Sequence, residues 1–510
     1  MRIILSLLLA VAFVLPASAQ KIDKKLKSFE KYIEQARQDW NVPGVAVAIV
    51  KDGEIIYEKG FGVKSVDTNE PVDENTVFAV ASNTKSVTAA ALAILVDEGK
   101  INWDDKVQEY LPWFQLYDPY VSANLTIRDL LCHRSGLETF SGDLIWYGSN
   151  HSREEVLRRA RFLEPAYGFR EHFGYQNIMF LAAGEIIPVV TGQAWEEFVS
   201  ERILSPLEMN NTYYSTSQLT SDVNKAMPHN TVNDNNVVIE YVNWDNIAPA
   251  GALVSSVHDW SQWMIAQMNM GMKDTTAIWS ENQGHEMWAI QTPEAISPGS
   301  RSLWPSKTFS GYGLGWELQN LHGVKIVSHG GGYDGMISRT LMIPEENMGI
   351  VVLTNNISSI AYALTYAWAD RYMGEEGQDW SELFLNFSKS GQQAEEAERA
   401  AAEEARDKDS KPSLPLEAYA GTYGGEMYGN CEIRVVGDQL AFQFEPTPLF
   451  RGTMRHWQYD SFQLNWGTQM MLPPGTVQFI LNPEGEIEEM IIDVPNPDFD
   501  FTELEFKKLP

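Results

Sequence analysis

Ser82-Asn83-Thr84-Lys85 places a hydroxyl and an amine three residues apart at the start of an apolar run, Val87 to Val96, that reads as a helix. Residues three apart on a helix share a face. The serine also sits at the helix start, where backbone N–H groups are unpaired and the helix dipole is positive. This arrangement suits a nucleophile whose neighbour takes its proton, provided the ammonium is desolvated enough to lose its own. The same four residues also read as a capping serine followed by a surface lysine, and alone they do not decide between the two.

Two further groups narrow the choice. Phe173-Gly174-Tyr175-Gln176-Asn177 places a phenol and an amide two residues apart on a loop ahead of a helix over Ile178 to Val190. Much later, His329-Gly330-Gly331-Gly332 closes one strand before the next begins. Singly, the tyrosine reads as a core aromatic and the glycine run as a tight turn. Their order and separation behind S-x-x-K make the set specific. An HGGG run also forms the oxyanion loop of α/β-hydrolases, but there it precedes a G-x-S-x-G elbow. No G-x-S-x-G is present and His329 follows Ser82, which removes that reading. There is no H-E-x-x-H pair, and the nine histidines show no ligand-like spacing.

With these residues in place the chain resembles the penicillin-recognising serine hydrolases: class C β-lactamases, DD-peptidases, D-aminopeptidases and related esterases. The resemblance covers about residues 25–372. It includes Thr126-Ile-Arg-Asp-Leu-Leu-Cys-His-Arg-Ser-Gly-Leu137, Ser205-Pro-Leu-Glu-Met209, Pro249-Ala-Gly-Ala-Leu-Val-Ser255 and Tyr312-Gly-Leu-Gly-Trp316. It implies that Ser82 is acylated, that Lys85 helps to deprotonate it, and that Tyr175 carries the proton to the leaving group and later activates water. It implies that Asn177 positions substrate and Lys85, and that His329 and Gly331 fill a third motif usually written K-T-G and here H-x-G. The N–H groups of Ser82 and Gly332 become the expected oxyanion hole. No metal or organic cofactor is implied.

The departure at His329 bears on substrate. A lysine there supports binding of a substrate carboxylate, whereas an imidazole with an ordinary pKa of about 6.5 is mostly neutral at pH 7. The expectation is therefore amide or ester hydrolysis of small peptides or acyl compounds through a Ser82 acyl-enzyme. A β-lactamase or DD-carboxypeptidase acting on β-lactams or peptidoglycan stem peptides stands second, with a penicillin-binding sensor that does not turn over as a further alternative.

The elements that must hold these residues are legible in outline. Residues 23–40 carry Leu26, Phe29, Ile33, Ala36 and Trp40 at helical spacing, and Val45–Val50 and Ile55–Phe61 flank the turn residues Asp52-Gly53. Helical patterns dominate from about 84 to 290. Strands return at Val324–Ser328, Met336–Ile343 and Gly349–Thr354, so one sheet is built from distant parts of the chain. Ala394–Lys411, Ala-rich and charged, reads as a solvated helix or a tether. After it come alternating short strands, with Leu440, Phe442 and Phe444, then Phe462, Leu464 and Trp466, then Val477, Phe479 and Leu481. These resemble the lipocalin-like barrel appended to some relatives. The expected fold class is α+β: a β-lactamase/transpeptidase-like domain, with an antiparallel sheet flanked by helices and a helical subdomain, then a small all-β barrel. The expected division is a leader over 1–19, a hydrolase domain over 20–390, a linker over 391–412 and a barrel over 413–510.

Length and composition frame this. The chain has 510 residues, too many for one core. A net charge of −31 argues against a nucleic-acid partner, and two cysteines argue against a disulfide scaffold. Cys132 and Cys431 are expected to be unpaired and buried. Met-Arg, the apolar stretch Ile3–Leu15 and Ala17-Ser18-Ala19 form a secretory leader pattern, so export to the periplasm or outside the cell is expected, without stable membrane insertion. The expected partner is a small-molecule or peptide substrate, with homo-oligomerisation through the C-terminal domain left open. Tyr312 and Trp316 read as core packing, His133 and Arg134 as a structural motif, and Asn355 and Asn356 as candidates for touching substrate.

Overall fold

The computed structural model describes residues 22–375, 377–467 and 471–510. The leader expected over 1–19 lies outside them. Eight strands form one antiparallel sheet: β1 (Gly44–Lys51), β2 (Glu54–Gly62), β3 (Thr292–Pro293), β4 (Ser310–Tyr312), β5 (Glu317–Leu321), β6 (Val324–Tyr333), β7 (Met336–Ile343) and β8 (Met348–Thr354). Their spatial order is β2-β1-β8-β7-β6-β5-β4-β3, so strands from the two ends of the domain meet at the β1–β8 pairing, Val45 opposite Thr354.

Strand alternation sends β1 side chains to two different cores. Val45, Val47 and Ile49 pack with Phe29 and Ile33 of helix α1 (residues 22–39) and with Trp368 of a later helix. Ala46, Ala48 and Val50 face the helical region instead. A sheet covered on both faces explains why β1 and β8 read as unbroken apolar runs. Helix α2 (Thr84–Asp97) is buried from Thr84 to Leu95, and a helix apolar all round belongs inside a protein. Its neighbour α3 (Asn177–Thr191) is buried from Asn177 to Gly184 and ends on Gly192 in the left-handed region.

The charged segment after the sheet is helical. Trp380–Ala405 is one 26-residue helix, capped by Asp379, with only its first residues buried. Beyond it, eight strands from Gly421 to Lys508 close into an antiparallel barrel. Leu440, Phe442 and Phe444 alternate inward with Phe462, Leu464, Val477 and Phe479. Tyr419 fills the interior with its ring 5.1 Å from Phe462 and 5.0 Å from Phe479. Trp466 and Leu481 are only half-buried. Both cysteines are free and buried, and burial pushes the Cys132 thiol up to about 12. Among the described residues no single helix is long and apolar enough to cross a membrane.

The barrel rests on the helical region of the first domain. Asn150 N donates to Pro446 O at 2.7 Å, Arg159 Nη1 donates to Glu426 O at 2.8 Å, and Gly142 N donates to Glu503 Oε2 at 2.8 Å. The Tyr147 ring lies 4.5 Å from that of Phe499 and 5.8 Å from that of Phe450.

Candidate active site

Ser82 lies in a single 3-10 turn, Ala81–Asn83, that runs directly into α2. Ala81 before it has φ 46°, a left-handed conformation costing a non-glycine residue about 1–2 kcal/mol. Packing holds the kink: Val80 N donates to Leu253 O at 2.9 Å, and Ser338 Oγ donates to Val80 O at 2.7 Å. The turn leaves Ser82 half-buried at the helix entrance while Asn83, Thr84 and Lys85 are buried.

Lys85 Nζ donates to three oxygens: Ser82 Oγ at 3.0 Å, Asn177 Oδ1 at 2.6 Å and the Ala250 carbonyl at 2.9 Å. An ammonium has three protons, so the charged form is fully satisfied. Burial nevertheless lowers its pKa to about 7, partly offset by the charge of Asp143. The neutral amine has two protons and one lone pair. Asn177 Oδ1 and the Ala250 carbonyl can only accept, so the protons stay with them and the lone pair faces Ser82. This is the geometry of a base aimed at a hydroxyl.

Asn177 opens α3 and is itself held. Its Nδ2 donates to Asp143 Oδ2 at 2.6 Å, and Trp146 Nε1 donates to Asp143 Oδ1 at 2.8 Å. Asp143 is 3 % exposed, and burial raises its pKa to about 7 against the lowering effect of these hydrogen bonds and Lys85.

Tyr175 stands over Lys85, with Nζ 4.7 Å from its ring centre, and its hydroxyl faces Ser82. Burial holds the phenol well above its ordinary pKa, so it is a proton donor at neutral pH. Beneath it lies His133, fully buried, its ring 4.2 Å from that of Tyr175. Gln176 N donates to His133 Nδ1 at 2.9 Å. Burial lowers the pKa of this imidazole well below the ordinary value, so it is neutral, with its proton on Nε2.

His329 is 2 % exposed and uses both ring nitrogens inside the protein. Nδ1 lies 2.6 Å from the Gly330 carbonyl and Nε2 lies 2.7 Å from the Tyr312 hydroxyl. A carbonyl only accepts, so Nδ1 carries the proton. Burial lowers the His329 pKa to about 4, so Nε2 is bare and accepts from Tyr312.

Pairing of β6 with β5 ends at Ser328 opposite Glu317, whereas pairing with β7 continues to Tyr333. The freed edge of β6 lies against the Ser82 turn. A Cβ at Gly331 would sit 2.2 Å from Val80 O and 2.5 Å from Ser338 Oγ, so only glycine allows this approach. Gly332 is exposed and its side-chain direction is open, with Ile337 at 3.8 Å.

The structure thus brings Ser82, Lys85, Tyr175 and Asn177 into direct contact, with the His329–Gly332 strand beside them. Asn355 and Asn356 stand apart as framework residues and do not meet the expectation that they touch substrate. Asn355 accepts from Gly44 N at 2.7 Å and donates to Val63 O and Lys64 O, while Asn356 donates to Asn236 at 2.8 Å. Trp316 is core, as its pattern implied; Tyr312 is equally buried but is also the partner of His329. Arg134 pairs with buried Asp129 at 2.6 Å. The sequence did not reveal the Ala250 carbonyl, Asp143, or His133 as the support of Tyr175. The Pro249–Ser255 and Thr126–Leu137 runs were the available signals for Ala250 and His133. Among the described residues no group of three or more His, Cys, Asp or Glu side chains could hold a metal ion.

Comparison with known proteins agrees with this architecture. The β-lactamase family profile matches residues 29–371, and a domain of unknown function, DUF3471, matches residues 405–508. Unguisins hydrolase ungD of Aspergillus violaceofuscus is 29 % identical over 433 residues, covering 79 % of this chain and 76 % of that protein. Protein flp of Staphylococcus aureus is 28 % identical over 333 residues, covering 64 % and 63 %. The octameric penicillin-binding protein homologue from Pyrococcus abyssi superposes with a TM-score of 0.61 at 22 % identity, covering 95 % of this chain and 100 % of that one; at that identity the likeness concerns the fold. With the family profile spanning most of the chain, this protein belongs to the β-lactamase family and is a serine hydrolase of the β-lactamase and penicillin-binding-protein type.

Proposed function

We propose that the protein is an exported hydrolase that cleaves amide or ester bonds of small peptides or acyl compounds through an acyl-enzyme on Ser82. The observation that carries this reading is the set of three acceptors around Lys85 Nζ, which leaves the neutral amine one direction for its lone pair, toward Ser82 Oγ. In acylation Ser82 Oγ bonds to the substrate carbonyl carbon and its proton passes to Lys85. The carbonyl oxygen gains charge beside the N–H groups of Ser82 and Gly332, where fixed donors are most effective. Tyr175 gives a proton to the departing amine or alkoxide as the scissile bond breaks. Water then attacks the ester with Tyr175 and Lys85 reversing their roles, releasing the acid and restoring Ser82.

The site favours substrates that need no carboxylate anchor. The third-motif imidazole is neutral and its nitrogens are already engaged, so it offers no cation to a substrate carboxylate. The similarity to a protein named unguisins hydrolase supports hydrolysis as the activity. Export is supported by the leader pattern of the first 19 residues. A substrate panel tests the reading: D- and L-aminoacyl amides, p-nitrophenyl esters and nitrocefin with wild type and Ser82→Ala. Turnover of amides or esters well above nitrocefin is expected. Efficient nitrocefin hydrolysis with amides and esters ignored would overturn it.

A further inference from the structure

Asp143 lies one amide away from the catalytic pair and on a turn that the C-terminal barrel touches. Its carboxylate is acceptor-only when ionised and takes two donors, Asn177 Nδ2 at 2.6 Å and Trp146 Nε1 at 2.8 Å. That choice fixes the Asn177 amide. With the NH2 committed to Asp143, the oxygen must face Lys85. A flipped amide would instead point an N–H at Lys85, where it would repel the ammonium and capture the lone pair of the neutral amine.

The barrel meets the same turn from outside. Glu503 Oε2 accepts the Gly142 N–H next to Asp143 at 2.8 Å. Phe499 and Phe450 pack on Tyr147 just beyond Trp146. Tyr147 in turn donates to Asp334 Oδ1 at 2.6 Å, two residues after Gly332. Chemistry and barrel are therefore joined by a short continuous path: Glu503, Gly142–Asp143, Asn177, Lys85, Ser82.

We propose that Asp143 is a positioning residue that orients the Asn177 amide and so aims the Lys85 lone pair at Ser82, and that the C-terminal barrel holds Asp143 in place by clamping the Ser141–Tyr147 turn. This rests on the reading of Ser82 and Lys85 given above. It assigns the barrel a working part in the site. The charged groups facing Asp143 are Lys85 from α2 and Asp498 from the barrel, with Glu503 at the turn. Lys85 also senses His133 and His329, both neutral.

The test uses the full chain with p-nitrophenyl acetate, measuring kcat/KM against pH and the rate of fluorophosphonate labelling, with Tm recorded for each variant. Asp143→Asn is expected to slow labelling about tenfold or more, because one of its two donors loses an acceptor. It is also expected to move the acid limb of kcat/KM down by roughly one unit, because a charge that favours the protonated lysine is gone. Asp143→Glu, which keeps the carboxylate, is expected to recover part of the rate and the wild-type limb. Glu503→Ala is expected to slow labelling several-fold with Lys85 and Asn177 intact.

A uniform loss in Asp143→Asn with the acid limb unmoved would overturn the positioning role. Wild-type labelling in Glu503→Ala would overturn the role of the barrel. If Asp143→Asn does not fold, Asp143→Glu and Glu503→Ala decide: a wild-type rate and limb in both would overturn the proposal. Activity that survives Ser82→Ala would overturn the reading of the site itself. Loss in Ser82→Ala with a wild-type profile in Asp143→Asn would overturn the Asp143 proposal alone.

Discussion

The Tyr312 hydroxyl donates a hydrogen bond to Nε2 of His329 across 2.7 Å, and this one contact fixes the state of the third motif. The imidazole cannot serve as a cation there, since its other nitrogen is spent on the Gly330 carbonyl and burial holds its pKa at about 4. Nitrogen-resolved NMR should show His329 as the neutral Nδ1–H tautomer throughout pH 5–8, with no titration near the ordinary histidine pKa of about 6.5. An imidazolium appearing near that value would contradict the assignment.

The same depression has a stability consequence. Between the ordinary pKa of about 6.5 and about 4, the unfolded chain binds a proton at position 329 that the native chain does not. Stability therefore falls with acidification across that window. Replacing the residue by His329→Gln should flatten this part of the stability–pH curve, as measured by urea midpoints at stepped pH.

Lys85 must be neutral to act as base, and burial brings its pKa to about 7. Activity should rise with pH through about 7 and level off above it. Lys85→Arg, whose guanidinium cannot give up a proton, should lose about 10³-fold or more in kcat. A Lys85→Arg variant with near wild-type kcat would show that Lys85 is not the base.

Tyr175 is held as a phenol over Ser82 and Lys85. Tyr175→Phe keeps the ring on His133 and removes only the proton carrier. The expected loss is about 10²–10⁴ in kcat with little change in KM, measured by steady-state kinetics on an amide substrate.

Gly331→Ala would push a methyl to 2.2 Å from the Val80 carbonyl. The strand edge or the Ser82 turn must then move, at a cost of about 1–3 kcal/mol. Chemical denaturation should show that loss, and fluorophosphonate labelling should fall with it because the same shift displaces Gly332.

Much of this was legible from pattern. S-x-x-K, the Tyr175/Asn177 pair and the glycine strand are local spacings, and local spacings survive in a sequence. The barrel strands were equally readable from Leu440, Phe442 and Phe444, because alternation has a period of two. What could not be read depends on which distant segments meet. The Ala250 carbonyl reaches Lys85 only because Pro249 packs on α2, where Thr88 Oγ1 donates to its carbonyl at 2.6 Å. Nothing in the sequence sets Asp143 apart from the other acids among 69 Asp and Glu residues; only the fold buries it against Asn177. Asn355 misled because its strand ends near the β6 edge, and backbone partners from Gly44, Val63 and Lys64 claim its amide.

Everything in the proposed mechanism turns on acylation of Ser82. Intact-protein mass spectrometry after fluorophosphonate treatment, followed by peptide mapping, tests it most directly. One adduct is expected, on the peptide containing Ser82, and none in Ser82→Ala. An adduct on another residue, or undiminished labelling of Ser82→Ala, would contradict it.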